Sequence, residues 1–238
     1  MLIFLDLETT GLEYEDKICS IGIIGVRDSG EITIFYELIN EGKKIPPKAS
    51  SINHITNEMI KNKPTFKDTQ SFKFLMEQNQ ASSTIVVHNA KFDMEKLSLS
   101  GFEFVGNVID TLRSVKHLIP ECELFSLQVL RYELKLYKKE DDELQKCGIK
   151  DALVAHNALS DALVVKLLFE YLLEISSFEE MKELSQKKVL LDKFGFGKYQ
   201  GRYIEDIAMN DSSYLIWMLN LEDLDEDMRY SIEYYLQG

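Results

Sequence analysis

Leu2-Ile3-Phe4-Leu5-Asp6-Leu7-Glu8-Thr9-Thr10-Gly11-Leu12 opens the chain, and its reading governs everything that follows. The apolar residues from Leu2 to Leu7 predict a buried strand. Side chains alternate across a strand, so Asp6 and Glu8 leave the same face, which they share with Leu2 and Phe4. Two carboxylates held at that spacing with little water force a proton onto one of them unless a cation neutralises both. A divalent metal is the simplest such cation. The alternative, a solvated edge strand with acids serving only solubility, conflicts with the apolar residues on that face. The run breaks at Thr9-Thr10-Gly11-Leu12, where glycine permits a tight turn and a close approach of backbone to a ligand.

Working outward, residues 17–26 and 31–39 read as strands joined by a polar, glycine-containing hairpin at Arg27-Asp28-Ser29-Gly30. Short helices follow around 51–60, with a capped start at Thr56, and helical periodicity resumes over 69–77. Residues 83–87 and 105–109 are short buried strands ending at His88 and Asp110. Beyond them, 124–136 and 158–173 read as helices, and the latter repeats Leu159, Leu163, Leu167 and Tyr171 at helical spacing. The stretch 138–143, Lys-Lys-Glu-Asp-Asp-Glu, reads as a charged loop or solvated turn. Together these elements predict an α/β fold in which a mixed sheet is covered on both faces.

Length and composition set bounds. With 238 residues and 45% hydrophobic content, the chain can bury one sizeable core with a small appendage. The net charge of −13 and pI near 4.8 exclude a protein that holds nucleic acid by a general field of lysines. A nucleic-acid enzyme stays open, because acids gathered at a metal site contribute to that total and bound cations reverse the local sign. Lys187, Lys188, Lys193, Lys198 and Arg202 also form a local cationic strip. Three separated cysteines with no CxxC pairing suggest neither a disulfide framework nor a zinc site. No basic leader precedes the first apolar run, and no segment reaches the ~18 apolar residues of a membrane span. The expectation is a soluble cytoplasmic protein with no membrane partner.

Two segments echo each other: His88-Asn89-Ala90-Lys91-Phe92-Asp93 and His156-Asn157-Ala158-Leu159-Ser160-Asp161 share H-N-A-x-x-D. Five residues apart in a continuous helix, a histidine and an aspartate diverge by about 140°. They converge if the histidine lies just before the helix, and Asn89 and Asn157 are suitable N-caps. Asp6, Glu8, Asp93 and Asp161 thus supply four acids from three segments, with two histidines beside them. Oxygen donors in that number suit Mg²⁺ or Mn²⁺. Two such ions ~3.5–4 Å apart can clamp the attacking and leaving oxygens of a phosphodiester. A histidine with an ordinary pKa of about 6.5 can serve as the base, and spacing alone does not choose between His88 and His156.

These three segments, in order, spacing and residue type, resemble the motifs of the DEDDh 3′–5′ exonucleases over roughly the first 175 residues. The resemblance implies a ribonuclease-H-like fold, with three antiparallel strands followed by parallel ones, and release of nucleoside 5′-monophosphates from a 3′ end. It makes Asp6, Glu8, Asp93 and Asp161 the ligands of two ions, with Asp6 bridging, and it favours His156 as general base. It implies substrate contacts from Thr9, Thr10, Gly11 and Leu12, from His54, and from His88, Asn89 and Phe92.

Residues 194–203, Phe-Gly-Phe-Gly-Lys-Tyr-Gln-Gly-Arg-Tyr, interleave aromatics, glycines and cations, a composition suited to stacking on a single strand. Lys198 and Arg202 are the candidate phosphate contacts there. The competing interpretation is a hairpin with a small aromatic core, and Trp217 reads as core. From Phe194 to Leu236 the chain resembles the C-terminal module of bacterial exonuclease X-type enzymes, although residues 138–150 are longer and more charged than that pattern. The expected organisation is an exonuclease domain over 1–176, a helical linker over 177–193 and a small accessory module over 194–238. DNA is the expected polymer; an exoribonuclease or a polymerase-associated proofreading or tethering subunit are the alternatives.

Overall fold

The computed structural model describes residues 1–122, 124–150 and 153–237; Gly238, the end of the expected C-terminal module, lies outside them. Five strands form one sheet in the order β3-β2-β1-β4-β5. β1 (Leu2–Thr9), β2 (Ile18–Val26) and β3 (Ile32–Leu38) are antiparallel neighbours. β4 (Thr84–Val87) and β5 (Asn107–Asp110) then add in parallel beyond β1. The mixed sheet expected from the sequence is therefore present, with each strand within about two residues of its expected bounds.

Alternation along β1 separates two cores. Ile3, Leu5 and Leu7 join Ile21, Ile23, Phe74, Leu75 and Leu97 on one face. Phe4 joins Ile24, Val86 and Ile109 on the other, under Leu163, Leu167 and Phe169. The first face is covered from α3 (Gln70–Glu77) and α4 (Ala90–Leu99), after two short helices, α1 (Pro47–Asn53) and α2 (Asn57–Ile60). The second is covered by α5 (Thr111–Leu118), α6 (Leu127–Glu133), α7 (Glu140–Cys147), α8 (Ala158–Leu173) and α9 (Phe178–Leu184). α8 is apolar nearly all round because it lies between the sheet and the outer helices, and Phe4 meets its Phe169 edge-on at 5.5 Å. Full burial of each such phenyl ring contributes about 1.5–3 kcal/mol.

One expectation holds only in part here. In the charged stretch 138–143, Lys138 and Lys139 lie exposed in a 3₁₀ turn over Leu136–Lys139, but the turn leads into α7, whose first residues are Glu140 to Glu143. Acids suit a helix N-terminus. Glu140 and Glu143 are buried because cations on neighbouring helices meet them, Arg131 from α6 at 2.5 Å and Lys166 from α8 at 2.6 Å.

The chain divides into two compact units between Ser185 and Gln186. α9, inside the span read as linker, belongs to the first unit: Met181 is buried in its core, and Ser185 Oγ accepts from the Asp110 N–H. The second unit contains α10 (Ile204–Asn210), α11 (Ser212–Leu219) and α12 (Glu226–Gln237), packed through Phe194, Ile204, Ile207, Leu215, Met218 and Ile232. Among the described residues no helix is long and apolar enough to cross a membrane.

Candidate active site

The second face of β1 carries Phe4, Asp6 and Glu8 in succession, so hydrophobic packing on Phe4 fixes the direction of both acids. Asp6 lies opposite Gly22 of β2. A Cβ at Gly22 would fall 2.2–2.3 Å from the backbone of Ala158 and Leu159, so only glycine lets the start of α8 rest on the sheet at this point. That contact sets the level of Asp161, one turn into α8. Asn157 caps the helix as expected, accepting from the Ser160 N–H. His156 precedes the cap with φ of 59°, a left-handed turn that points the chain back, and its N–H donates to Asp161 Oδ2 at 3.0 Å. Ligand atoms of Glu8, His156 and Asp161 all lie within 4.8 Å of one another.

α4 delivers Asp93, but its cap differs from expectation. Asn89 takes φ of 80° and makes no side-chain cap bond. Asp110, at the end of the neighbouring strand, accepts from the N–H groups of Asn89 and Ala90 at 3.0 and 2.9 Å, and from those of Leu112 and Arg113 at 2.9 and 3.4 Å. One carboxylate thus closes the starts of α4 and α5.

The four acids and both histidines, with Phe92 and Gln128, line a cavity of about 340 Å³ at the C-terminal ends of β1 and β4. Burial and the neighbouring acids Asp93, Asp161 and Glu8 hold the Asp6 carboxyl well above its usual range. Burial, then Asp161 and Asp93, push Glu8 up to about 8. Asp93 is raised by burial and by Asp110. Asp161 rises through burial to only about 6, because the His156 N–H, Arg131 and Gln128 act against that rise. Among the described residues, every group acting on Asp6 and Glu8 raises their pKa and none offsets their charge, and the donors are carboxylate oxygens. This is a set of ligands that fits a hard divalent cation.

The two histidines differ in freedom. His88 Nε2 faces the Phe125 carbonyl at 2.8 Å and Nδ1 faces Thr111 Oγ1 at 3.0 Å, so protein groups engage both nitrogens, and burial lowers its pKa. His156 is exposed at the rim. His54, also exposed, ends α1 with φ of 60°; its neighbour Asn53 is buried and donates to the Thr9 carbonyl at 3.2 Å. The turn after β1 is braced from within. Thr9 Oγ1 donates to the Gly11 carbonyl, and Asp16 accepts from Thr10 Oγ1, the Glu13 N–H and Lys43. Gly11 is needed because a Cβ there would sit 2.3 Å from Asp16 Oδ2. Buried Lys96 of α4 donates to the carbonyls of Glu13 and Asp16. The brace leaves Leu12 81% exposed at the tip.

Sequence reasoning passed over Gln128, whose Nε2 donates to Asp161 Oδ1 at 2.6 Å, and the Arg131–Glu140 pair behind it. No local pattern marks Gln128 as special. Only its position across a helix junction does.

In the second unit, an isolated bridge between Lys193 and Tyr203 closes the glycine-rich loop, and Phe194 is buried against Ile204. Lys198 pairs with Asp211 at 3.1 Å and lies 4.5 Å from the Tyr199 ring centre, whereas Arg202 is exposed. Phe194 and Tyr199 build the small aromatic core of the competing interpretation, while Phe196 and Tyr203 remain exposed. Trp217 is also 55% exposed, contrary to its expected place in the core, because α11 buries Leu215 and Met218 instead.

Comparison with known proteins finds exonucleases. A family model described as Exonuclease matches residues 3–169, and one described as Exodeoxyribonuclease X-like C-terminal matches residues 194–223. Exodeoxyribonuclease 10 of Escherichia coli (strain K12) is 28% identical over 241 residues, spanning all of both chains. DNA polymerase III subunit epsilon of Treponema pallidum (strain Nichols) is 34% identical over 167 residues, 64% of this chain and 76% of that one. Among solved structures, Exonuclease X in complex with 5′ overhanging duplex DNA superposes with a TM-score of 0.61 at 26% identity, covering 78% of this chain and 99% of that one.

Proposed function

The chain belongs to the exonuclease family, among its DEDDh members, and on that premise we propose that it degrades DNA from the 3′ end and releases nucleoside 5′-monophosphates. Divalent-metal dependence goes with the family. Asp6, Glu8, Asp93 and Asp161 would hold two ions, Mg²⁺ or Mn²⁺, which when bound supply positive charge to the phosphoryl, attacking and leaving oxygens. The observation that carries this reading is the convergence of four carboxylates, Asp93 and Asp161 buried and Asp6 and Glu8 half-buried, whose protons are held unusually tightly, with one exposed imidazole at their edge.

His156 takes the proton of the attacking water. Its exposed ring stands at the rim, and its backbone N–H grips Asp161, so base and acid are held in one geometry. Thr9 to Leu12 receive the terminal nucleotide on the braced turn, with Asn89, Phe92, His54 and His88 forming the rest of its surroundings. In the second unit, Lys198 and Arg202, with the exposed rings of Phe196 and Tyr203, offer phosphate contacts and stacking faces to a single strand. DNA is favoured over RNA by the names of the relatives, one an exodeoxyribonuclease and one solved with duplex DNA. Three buried free cysteines suit a reducing setting such as the cytoplasm, which fractionation of cells would test.

The deciding experiment uses DNA labelled at the 5′ end, incubated with the protein and Mg²⁺ or Mn²⁺. A ladder of shortened labelled strands, with nucleoside 5′-monophosphates as the sole small product, is expected. Activity confined to RNA, or labelled mononucleotide appearing first, overturns the proposal.

A further inference from the structure

We infer that Gln128 is a positioning residue for this reaction, its side-chain amide fixing the orientation of Asp161. The inference rests on the metal-dependent reading above and deepens it.

Among the described residues Asp161 has two donors, one for each oxygen. Oδ2 accepts from the His156 N–H at 3.0 Å, and Oδ1 accepts from Gln128 Nε2 at 2.6 Å. The first donor belongs to the loop just before α8, so by itself it leaves the carboxylate free to swing with that loop. The second comes from another helix and ties the acid to the fold.

The direction of the Gln128 amide is itself determined. Its Oε1 accepts from Arg131 Nη1 at 3.2 Å. A guanidinium has donors and no acceptor, so the carbonyl end of the amide faces Arg131 and the NH₂ end must face Asp161. Arg131 in turn is locked by Glu140 through two bonds, Nε to Oε1 at 2.5 Å and Nη2 to Oε2 at 2.7 Å, with both side chains about one-tenth exposed. Gln128 and Arg131 are three apart on α6 and therefore share a face. The chain of bonds runs one way, from Arg131, anchored on Glu140, through Gln128 to Asp161. The segment leading into α6 is held as well, by His88 Nε2 on the Phe125 carbonyl. The second and third motifs are thereby joined through a stretch that neither contains.

A glutamine that merely walled the cavity would need bulk and no amide. The test separates the two. Gln128→Ala removes bulk and amide, whereas Gln128→Met keeps the length and removes only the donor. Calorimetric titration of the full-length protein with Mn²⁺ alone, with no DNA present, reads the effect apart from turnover. Both variants are expected to bind Mn²⁺ about tenfold more weakly, the scale seen when a ligand's hydrogen-bond partner is lost. Steady-state kinetics on single-stranded DNA at saturating Mn²⁺ should show kcat lowered and KM for DNA within about twofold of wild type. Wild-type affinity and kcat in Gln128→Met, with or without loss in Gln128→Ala, overturn the inference while leaving the exonuclease reading intact. Wild-type protein that takes up no Mn²⁺ overturns that reading and the inference with it.

Discussion

Asp6 in the first unit and Asp211 in the second are both carboxylates with close polar neighbours, yet the protein treats them in opposite ways. Asp211 receives the Tyr199 hydroxyl at 2.6 Å, the Ser213 hydroxyl at 2.9 Å and the Lys198 ammonium at 3.1 Å, and these hold it well below the usual carboxylate range. Asp6 is enclosed among three other acids, and burial and their charges together drive it the other way. A carboxylate whose charge is answered by its own chain is serving the fold. One left unanswered marks where something else must bring the countercharge, and that contrast separates the reactive part of this molecule from its accessory part more sharply than composition does.

The strongest test of the contrast is Asp6→Asn. It is expected to lower DNA degradation by about 10³-fold or more, several kcal/mol at ~1.36 kcal/mol per decade. At the same time it should raise the melting temperature of the metal-free protein, because one repelling charge is gone. Loss of both activity and stability would mean that Asp6 serves packing. His156→Ala comes next, with kcat down about 10²–10⁴-fold and Mn²⁺ affinity by calorimetry nearly unchanged. If Mn²⁺ affinity falls as far as kcat, His156 is a ligand and not the base.

The pH response follows from Glu8. Its pKa in the folded protein, about 8, lies above the ordinary glutamate value of 4.5, so the native state binds the extra proton. That contribution to stability is fully present below 4.5 and is lost as pH climbs through 8. Metal-free protein should therefore melt several degrees lower at pH 8 than at pH 5.5, and saturating Mg²⁺ should remove most of the difference. A melting temperature that rises over this range without metal would contradict the picture. The smallest effect is expected at the other pole: Asp211→Asn should leave kcat on a short oligonucleotide unchanged and move the melting temperature slightly downward. A large loss of kcat there would erase the distinction between the two units.

How much of this was readable beforehand depends on the range over which each signal acts. The acids of β1, the strands and α8, whose expected span of 158–173 is the observed one, follow from short-range alternation and periodicity. The convergence of Asp6, Glu8, Asp93 and Asp161 was legible because three separate segments carried it together. Gln128 was not, since the bond that matters spans 33 positions and an isolated glutamine has no pattern. Gly22 was missed for a related reason: its significance is the helix pressed against it from the far end of the domain. Glu140 and Glu143 were misread because charge in sequence looks solvated until the cations of other helices are known. Trp217 reversed the usual rule, since α11 turns its other side inward.

Asp110 has a further consequence for how the domain breathes. Because a single side chain closes both α4 and α5, the amide hydrogens of Asn89, Ala90, Leu112 and Arg113 share one latch. In deuterated solvent they should exchange as a group, so that a fluctuation loosening the helix bearing Asp93 also loosens its neighbour.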